Sequence, residues 1–169
     1  ISGGVNEGTL SITAACDISD TINPDDIGIF RALAGGVTTI QCLHGSANAI
    51  DGRSEVLKLK WGATAAELVF PDAPQGIKFA LGENPKGSNW GGNSDRFPSS
   101  RRGIEAVYDR AFTRAVAYGE GWKKYDEAVA NGEDAMPPRR DLRLETLLGI
   151  VDGVVKVHSH SYRADEILM

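Results

Sequence analysis

Short stretches of alternating or β-branched residues interleave with stretches of helical period along this chain. Asn23-Pro24-Asp25-Asp26 reads as a helix start, with a capping Asn, Pro at the first helical position and acids in the first turn. Ile27, Phe30, Leu33 and Ala34 then mark one apolar stripe, and Gly35-Gly36 ends it. The β-branched run Val37 to Cys42 predicts a strand. A polar loop from His44 to Arg53 follows, then strands over Val56–Lys60 and Ile77–Leu81. A helix is expected over about 101–118, with Ile104, Val107, Ala111 and Ala115 on one side, and a second near 120–130. Met136-Pro137-Pro138 breaks the chain before a helix around Leu142 to Ile150. Asp152-Gly153 then turns it into a final strand, which leads into a helical segment from Ala164 to Leu168. Residues 1–22, rich in Gly, Ser, Thr and Asp, read as a loop.

Strands alternating with helices place the chain in the α/β class, with a parallel sheet and crossover helices. A full eight-stranded barrel takes about 250 residues. The 169 residues here, with about four predicted strands, match half of one. An open doubly wound sheet is the alternative, but no GxGxxG follows a strand and no Walker sequence occurs. The chain opens on Ile1 without Met and stops at Met169 inside a young helix, so it reads as a fragment of a longer product. Half a barrel carries open strand edges, so self-association into a homo-oligomer is expected of it.

Composition narrows the partners. A hydrophobic content of 41% supplies one ordinary core. A net charge of −5 argues against nucleic acid as the main partner, because phosphate binding needs concentrated basic surface. Arg101-Arg102 and Arg139-Arg140 are flanked by acids and read as solvated helix ends. Cys16 and Cys42 form no metal-type spacing and read as free thiols. No apolar stretch approaches the ~20 residues that cross a bilayer, and nothing at the amino end resembles a signal peptide.

Candidate chemistry concentrates in two strands. The run Val155 to Arg163 reads as a buried strand that delivers His158 and His160 to its carboxyl end, on one face with Lys156. Neutral imidazoles there suit a divalent metal such as zinc, or else need protein partners. In Gly76-Ile77-Lys78-Phe79-Ala80-Leu81-Gly82-Glu83, the apolar face of Ile77, Phe79 and Leu81 packs under helices and Lys78 faces the other way. A lysine so placed is paired with a neighbouring carboxylate, or becomes an anionic metal bridge by carbamylation. Glu83, just past the strand's end, can fill that bridging role unmodified. Gly45-Ser46-Ala47-Asn48 is either a ligand-approach loop or a simple turn. Trp90 with Gly87, Gly91 and Gly92 is either a water-excluding lid or an anchored surface loop.

Taken in order, several segments carry a family resemblance: Ala34-Gly35-Gly36-Val37-Thr38-Thr39, Gly45-Ser46-Ala47-Asn48, Ile77-Lys78-Phe79 with Leu81-Gly82-Glu83-Asn84-Pro85-Lys86, and Pro98-Ser99-Ser100-Arg101. Pro137-Pro138-Arg139-Arg140-Asp141-Leu142-Arg143-Leu144-Glu145 and His160-Ser161-Tyr162-Arg163-Ala164-Asp165 complete the series. From about residue 23 onward the chain resembles the amidohydrolase superfamily, in particular its imidazolonepropionase-like and prolidase-like members. The resemblance implies one catalytic (α/β)8 barrel domain, of which residues 1–169 would cover strands two to five, with 1–22 a loop after the missing first strand. It implies a divalent metal, zinc first, that activates water against the C–N bond of a small-molecule amide, cyclic amide or amidine. His160 matches a metal ligand and His158 its partner or alternative. Lys78 matches a carboxylated lysine and Glu83 a bridging acid of other branches. Tyr162, Arg101 and Asn48 match substrate-contacting positions, Arg101 as a carboxylate clamp. No His-x-His precedes residue 158, where the family carries one after its first strand. The chain alone is therefore expected to hold an incomplete metal site and to be inert. A non-catalytic barrel scaffold is the alternative.

Overall fold

The computed structural model describes residues 5–87 and 95–168. The elements run α1 (Ile27–Ala34), β1 (Thr39–Cys42), β2 (Ile50–Lys58), α2 (Ala65–Leu68), β3 (Gly76–Ala80), α3 (Arg101–Ala130), α4 (Leu142–Val151), β4 (Lys156–His160) and α5 (Ala164–Ile167), with a 3-10 turn at Ile18–Thr21 before them. The strands form one sheet in the order β1-β2-β3-β4. Only β3 and β4 are parallel; β2 runs antiparallel to both its neighbours. This corrects the all-parallel expectation, and for β1 and β2 connection length is the reason, whereas β3 returns antiparallel to β2 after the longer stretch that holds α2. Parallel neighbours need a crossover of about a dozen residues or more. Residues 43–49 hold no helix and only turn the chain back, whereas α3 and α4 together carry it over from β3 to β4.

Other boundaries moved for local reasons. The side chain of Asn23 accepts from the Asp25 amide at 3.1 Å, which makes a turn of its own, and Asp26 caps α1 through the Gly28 amide at 2.7 Å. The two helices expected over 101–130 are one, of 30 residues. Gly119 lies where α4 comes close: a methyl group there would stand 2.8 Å from Leu148 Cδ1. That glycine marks a packing contact, not a helix break. The polar loop expected to reach Arg53 gives way to strand at Ile50, and Ile12 and Asp17 of the expected amino-terminal loop bridge to Ile50 and Arg53.

A register shift between Ile50 and Arg53 lets β2 keep Ile50 and Leu57 on one side. Ile50 packs with Ile77, Phe79, Ala111, Ala115, Leu147 and Val155, and beyond the shift Leu57 packs with Ile29 and Leu68. Gly52 occupies the shift. A Cβ there would meet the Cys16 carbonyl oxygen at 2.6 Å, and backbone cannot swing away as a side-chain tip can. Gly52→Ala is therefore expected to cost about 1–3 kcal/mol, read as a lower urea midpoint with an unchanged slope.

By strand alternation both clusters lie on the same face of the sheet, the face covered by α1, α3 and α4. Tyr108 of α3 pins the helix layer down, donating its hydroxyl to the Ala49 and Ala80 carbonyls at 2.6 and 3.0 Å. Gln41, Ser54, Lys78, His158 and His160 occupy the opposite face. The strand expected to be buried, β4, lies at the sheet's edge, and Val157 is 41% exposed. Among the described residues no helix is long and apolar enough to cross a membrane.

Candidate functional site

The parallel register sets Lys78 beside His158 and Ala80 beside His160. Paired residues of neighbouring strands point to the same face, so the lysine and both imidazoles share the helix-free side. The small Ala80 leaves His160 room to be reached by the loop after β1. Ser46 Oγ lies 2.6 Å from His160 Nδ1, and Asn84 Nδ2 lies 3.5 Å from the same nitrogen. Tyr162 covers the ring, with centroids 4.7 Å apart. When Ser46 accepts from Nδ1–H, the Nε2 lone pair is left for an outside partner, the arrangement metal-binding histidines use. His158 is differently engaged. Gln41 Nε2 stands 2.8 Å from its Nε2, and an amide nitrogen donates, so that ring nitrogen accepts.

Beneath Lys78 lies a residue that sequence reasoning missed. Asp51 is fully buried on β2, and burial pushes its carboxyl up to about 7. A bond from the Asn48 amide and the charges of Lys78 and Arg96 pull the other way without overcoming burial. Its Oδ1 has no hydrogen-bond partner among the described residues. Lys78 lies close enough for its charge to act on Asp51. The only sequence signal of Asp51 was a lone acid in a stretch taken for loop.

The remaining candidates fall elsewhere. Glu83 pairs with Lys86 at 2.5 Å and with Arg101 at 3.3 Å, and Arg101 also binds Glu166 of α5. The guanidinium expected to clamp a substrate carboxylate thus faces two carboxylates of the protein. Asn48 is fully buried, and its amide donates to the Glu7 carbonyl at 2.7 Å and to Thr13 Oγ1 at 2.9 Å. It ties the loop to the amino-terminal segment. Trp90, Gly91 and Gly92 of the expected lid lie outside the described residues. Cys16 and Cys42 are free thiols, and burial raises both.

Among the described residues no three of His, Cys, Asp and Glu gather closely enough to hold a metal ion. What they offer is part of a coordination shell: the open Nε2 of His160 and, beside it, His158 and a half-buried Lys78 over a buried acid. The donors fit a divalent cation in kind, though not in number.

No protein-family model matches the chain. It is 30% identical over 176 aligned positions to the amidohydrolase tasK of Hapsidospora irregularis, an alignment covering 96% of this chain and 18% of that protein. It superposes with a TM-score of 0.82 and 34% identity on the crystal structure of an amidohydrolase from Thermotoga maritima MSB8, over 96% of this chain and 40% of the other. The chain is similar to amidohydrolases. The likeness gives it an amidohydrolase-like relationship and a mixed α/β fold with a curled, half-barrel sheet. It spans well under two thirds of either relative's length.

Proposed function

We propose that this chain contributes to the catalytic barrel of a metal-dependent amidohydrolase that cleaves a C–N bond of a small molecule. The observation that carries the reading is the gathering of Lys78, His158 and His160 on the face of the sheet that, among the described residues, no helix covers. A partial (α/β)8 barrel puts that face inside, and chemistry in such barrels lies at the carboxyl ends of the strands. An open doubly wound sheet would need helices on both faces. The residues that would hold the cation are His160 through Nε2 and Lys78 in carboxylated form, with His158 or Glu83 as the alternative donors. A bound divalent metal, zinc by this ligand chemistry, supplies a Lewis acid and a water of lowered pKa.

The chain's own residues then have definable tasks. Ser46 fixes the tautomer of His160, and Tyr162 holds its ring plane. Asp51 sets the charge environment under Lys78. Losing the orienting hydroxyl in Ser46→Ala is expected to weaken zinc affinity about 10–100-fold, measured by competition with a chromophoric chelator.

The deciding experiment uses the natural polypeptide at full length, loaded with zinc and assayed against a panel of amides, cyclic amides and amidines. Hydrolysis is expected to depend on added metal, and His160→Ala is expected to lose both the zinc and the activity. A His160→Ala protein that keeps its zinc and its rate would contradict the reading. The open edge at β4, with Val157, Ile167 and Leu168 exposed, further supports self-association of residues 1–169 made alone. Sedimentation showing a monomer at high concentration would rule that out.

A further inference from the structure

On the helix-covered side, away from Lys78 and His160, a cleft of about 440 Å³ opens between α3, the start of α4 and residues 9–12. Its size falls within the range of small-ligand sites. Four arginines line it (Arg96, Arg110, Arg114 and Arg143) against a single acid, Asp141, in a chain whose net charge is −5. Such a local reversal of sign, between walls of low dielectric, focuses a positive field.

Several guanidinium groups elsewhere are neutralised: Arg53, Arg140 and Arg163 each lie 2.7 Å from a carboxylate. In the cleft, Arg96 donates to the Gly8, Ala47 and Pro85 carbonyls and Arg143 approaches Asp141. Arg110 and Arg114 stand one turn apart on α3, and neither has a carboxylate partner among the described residues. Arg110 instead lies over the Phe97 ring, 5.9 Å from its centre, which orients the group without cancelling its charge. Asp141 is occupied in capping α4, accepting from the Arg143 and Leu144 amides at 3.0 and 3.4 Å. Arg143 Nε lies 3.6 Å from its Oδ1. Arg143 and the first turn of the ten-residue α4 border the same opening. Leu10 and Leu144 supply an apolar wall beside these charges.

We propose that this cleft binds an organic anion, its phosphate or carboxylate head held by Arg110, Arg114 and Arg143 and its apolar body lying against Leu10 and Leu144. Guanidinium groups grip both kinds of head through paired N–H donors. The cleft is separate from the proposed metal face, so the two can be tested independently.

The test is calorimetric titration of the natural polypeptide at full length with phenyl phosphate and, separately, with benzoate; the tighter probe identifies the head group. One saturable site is expected, weakening as salt rises. Arg110→Gln with Arg114→Gln is expected to lower the affinity at least about tenfold, the loss of charge-assisted hydrogen bonds. Lys123→Gln with Lys124→Gln, which removes the same charge farther along α3, is expected to leave it unchanged. Circular dichroism checks that each variant folds, and Arg143→Gln serves if the α3 pair does not. Absence of saturable binding by either probe, or an equal loss in the lysine variant, would overturn the proposal.

Discussion

Replacing Asp51 by asparagine is expected to remove most of the pH dependence of this chain's stability between pH 4 and pH 7. The carboxyl titrates near 3.8 when the chain is unfolded and at about 7 in the folded state. Over that interval the folded protein holds a proton that the unfolded chain has released. Stability therefore falls as pH rises, and it levels off above the folded value. The whole span corresponds to about 4 kcal/mol, a large share of a domain's stability. Asparagine keeps the shape and cannot ionise, so its curve should be nearly flat over the same range. Carboxylates held low by their partners act at the acid end: Glu145, lowered by Arg140, loses its contribution only as pH falls through and below 4.5. Urea unfolding of both proteins at a series of pH values separates the two effects. Parallel curves would mean that Asp51 is not the buried acid described here.

The second large effect is expected in the core. Leu147 is 1% exposed on α4 and packs with Ile77, Phe79, Ala111 and Ala115 where both long helices meet the sheet. Leu147→Ala should cost about 2–5 kcal/mol, the lost transfer energy plus that of the cavity left behind. The Arg140–Glu145 pair, geometrically good at 2.7 Å but on the surface and screened by water, should contribute far less. The contrast between Leu147→Ala and Arg140→Gln in one denaturant series checks that burial, and not surface pairing, holds the layers together. Equal costs would refute that division.

Much of this was legible before any coordinates. The alternation through Ile77, Lys78 and Phe79, and through Val157, His158 and Ser159, was enough to put one lysine and two histidines on a common face, because a period of two leaves no other choice. It could not reveal the direction of β2, which depends on how residues 43–49 close. Nor could it reveal that Gly119 continues a helix, because the side chain it makes room for, Leu148, is distant in sequence. The partners of Glu83 and Arg101 were equally hidden. Arg101 reads as a ligand clamp until Glu166, from the far end of the chain, comes to rest against it. Asp51 escaped notice because a single acid in a polar stretch reveals nothing about its depth. Burial comes from the register shift at Gly52 and from the amino-terminal segment folding over β2.

The most direct test of the metal face is crystallographic: the natural polypeptide at full length, grown with zinc and measured at the zinc absorption edge. The account predicts an anomalous peak about 2.1 Å from a ring nitrogen of His160, with density from Lys78 or Glu83 reaching the same ion. A zinc held by other residues, with His160 still bonded to Ser46 and Asn84 and covered by Tyr162, would contradict it.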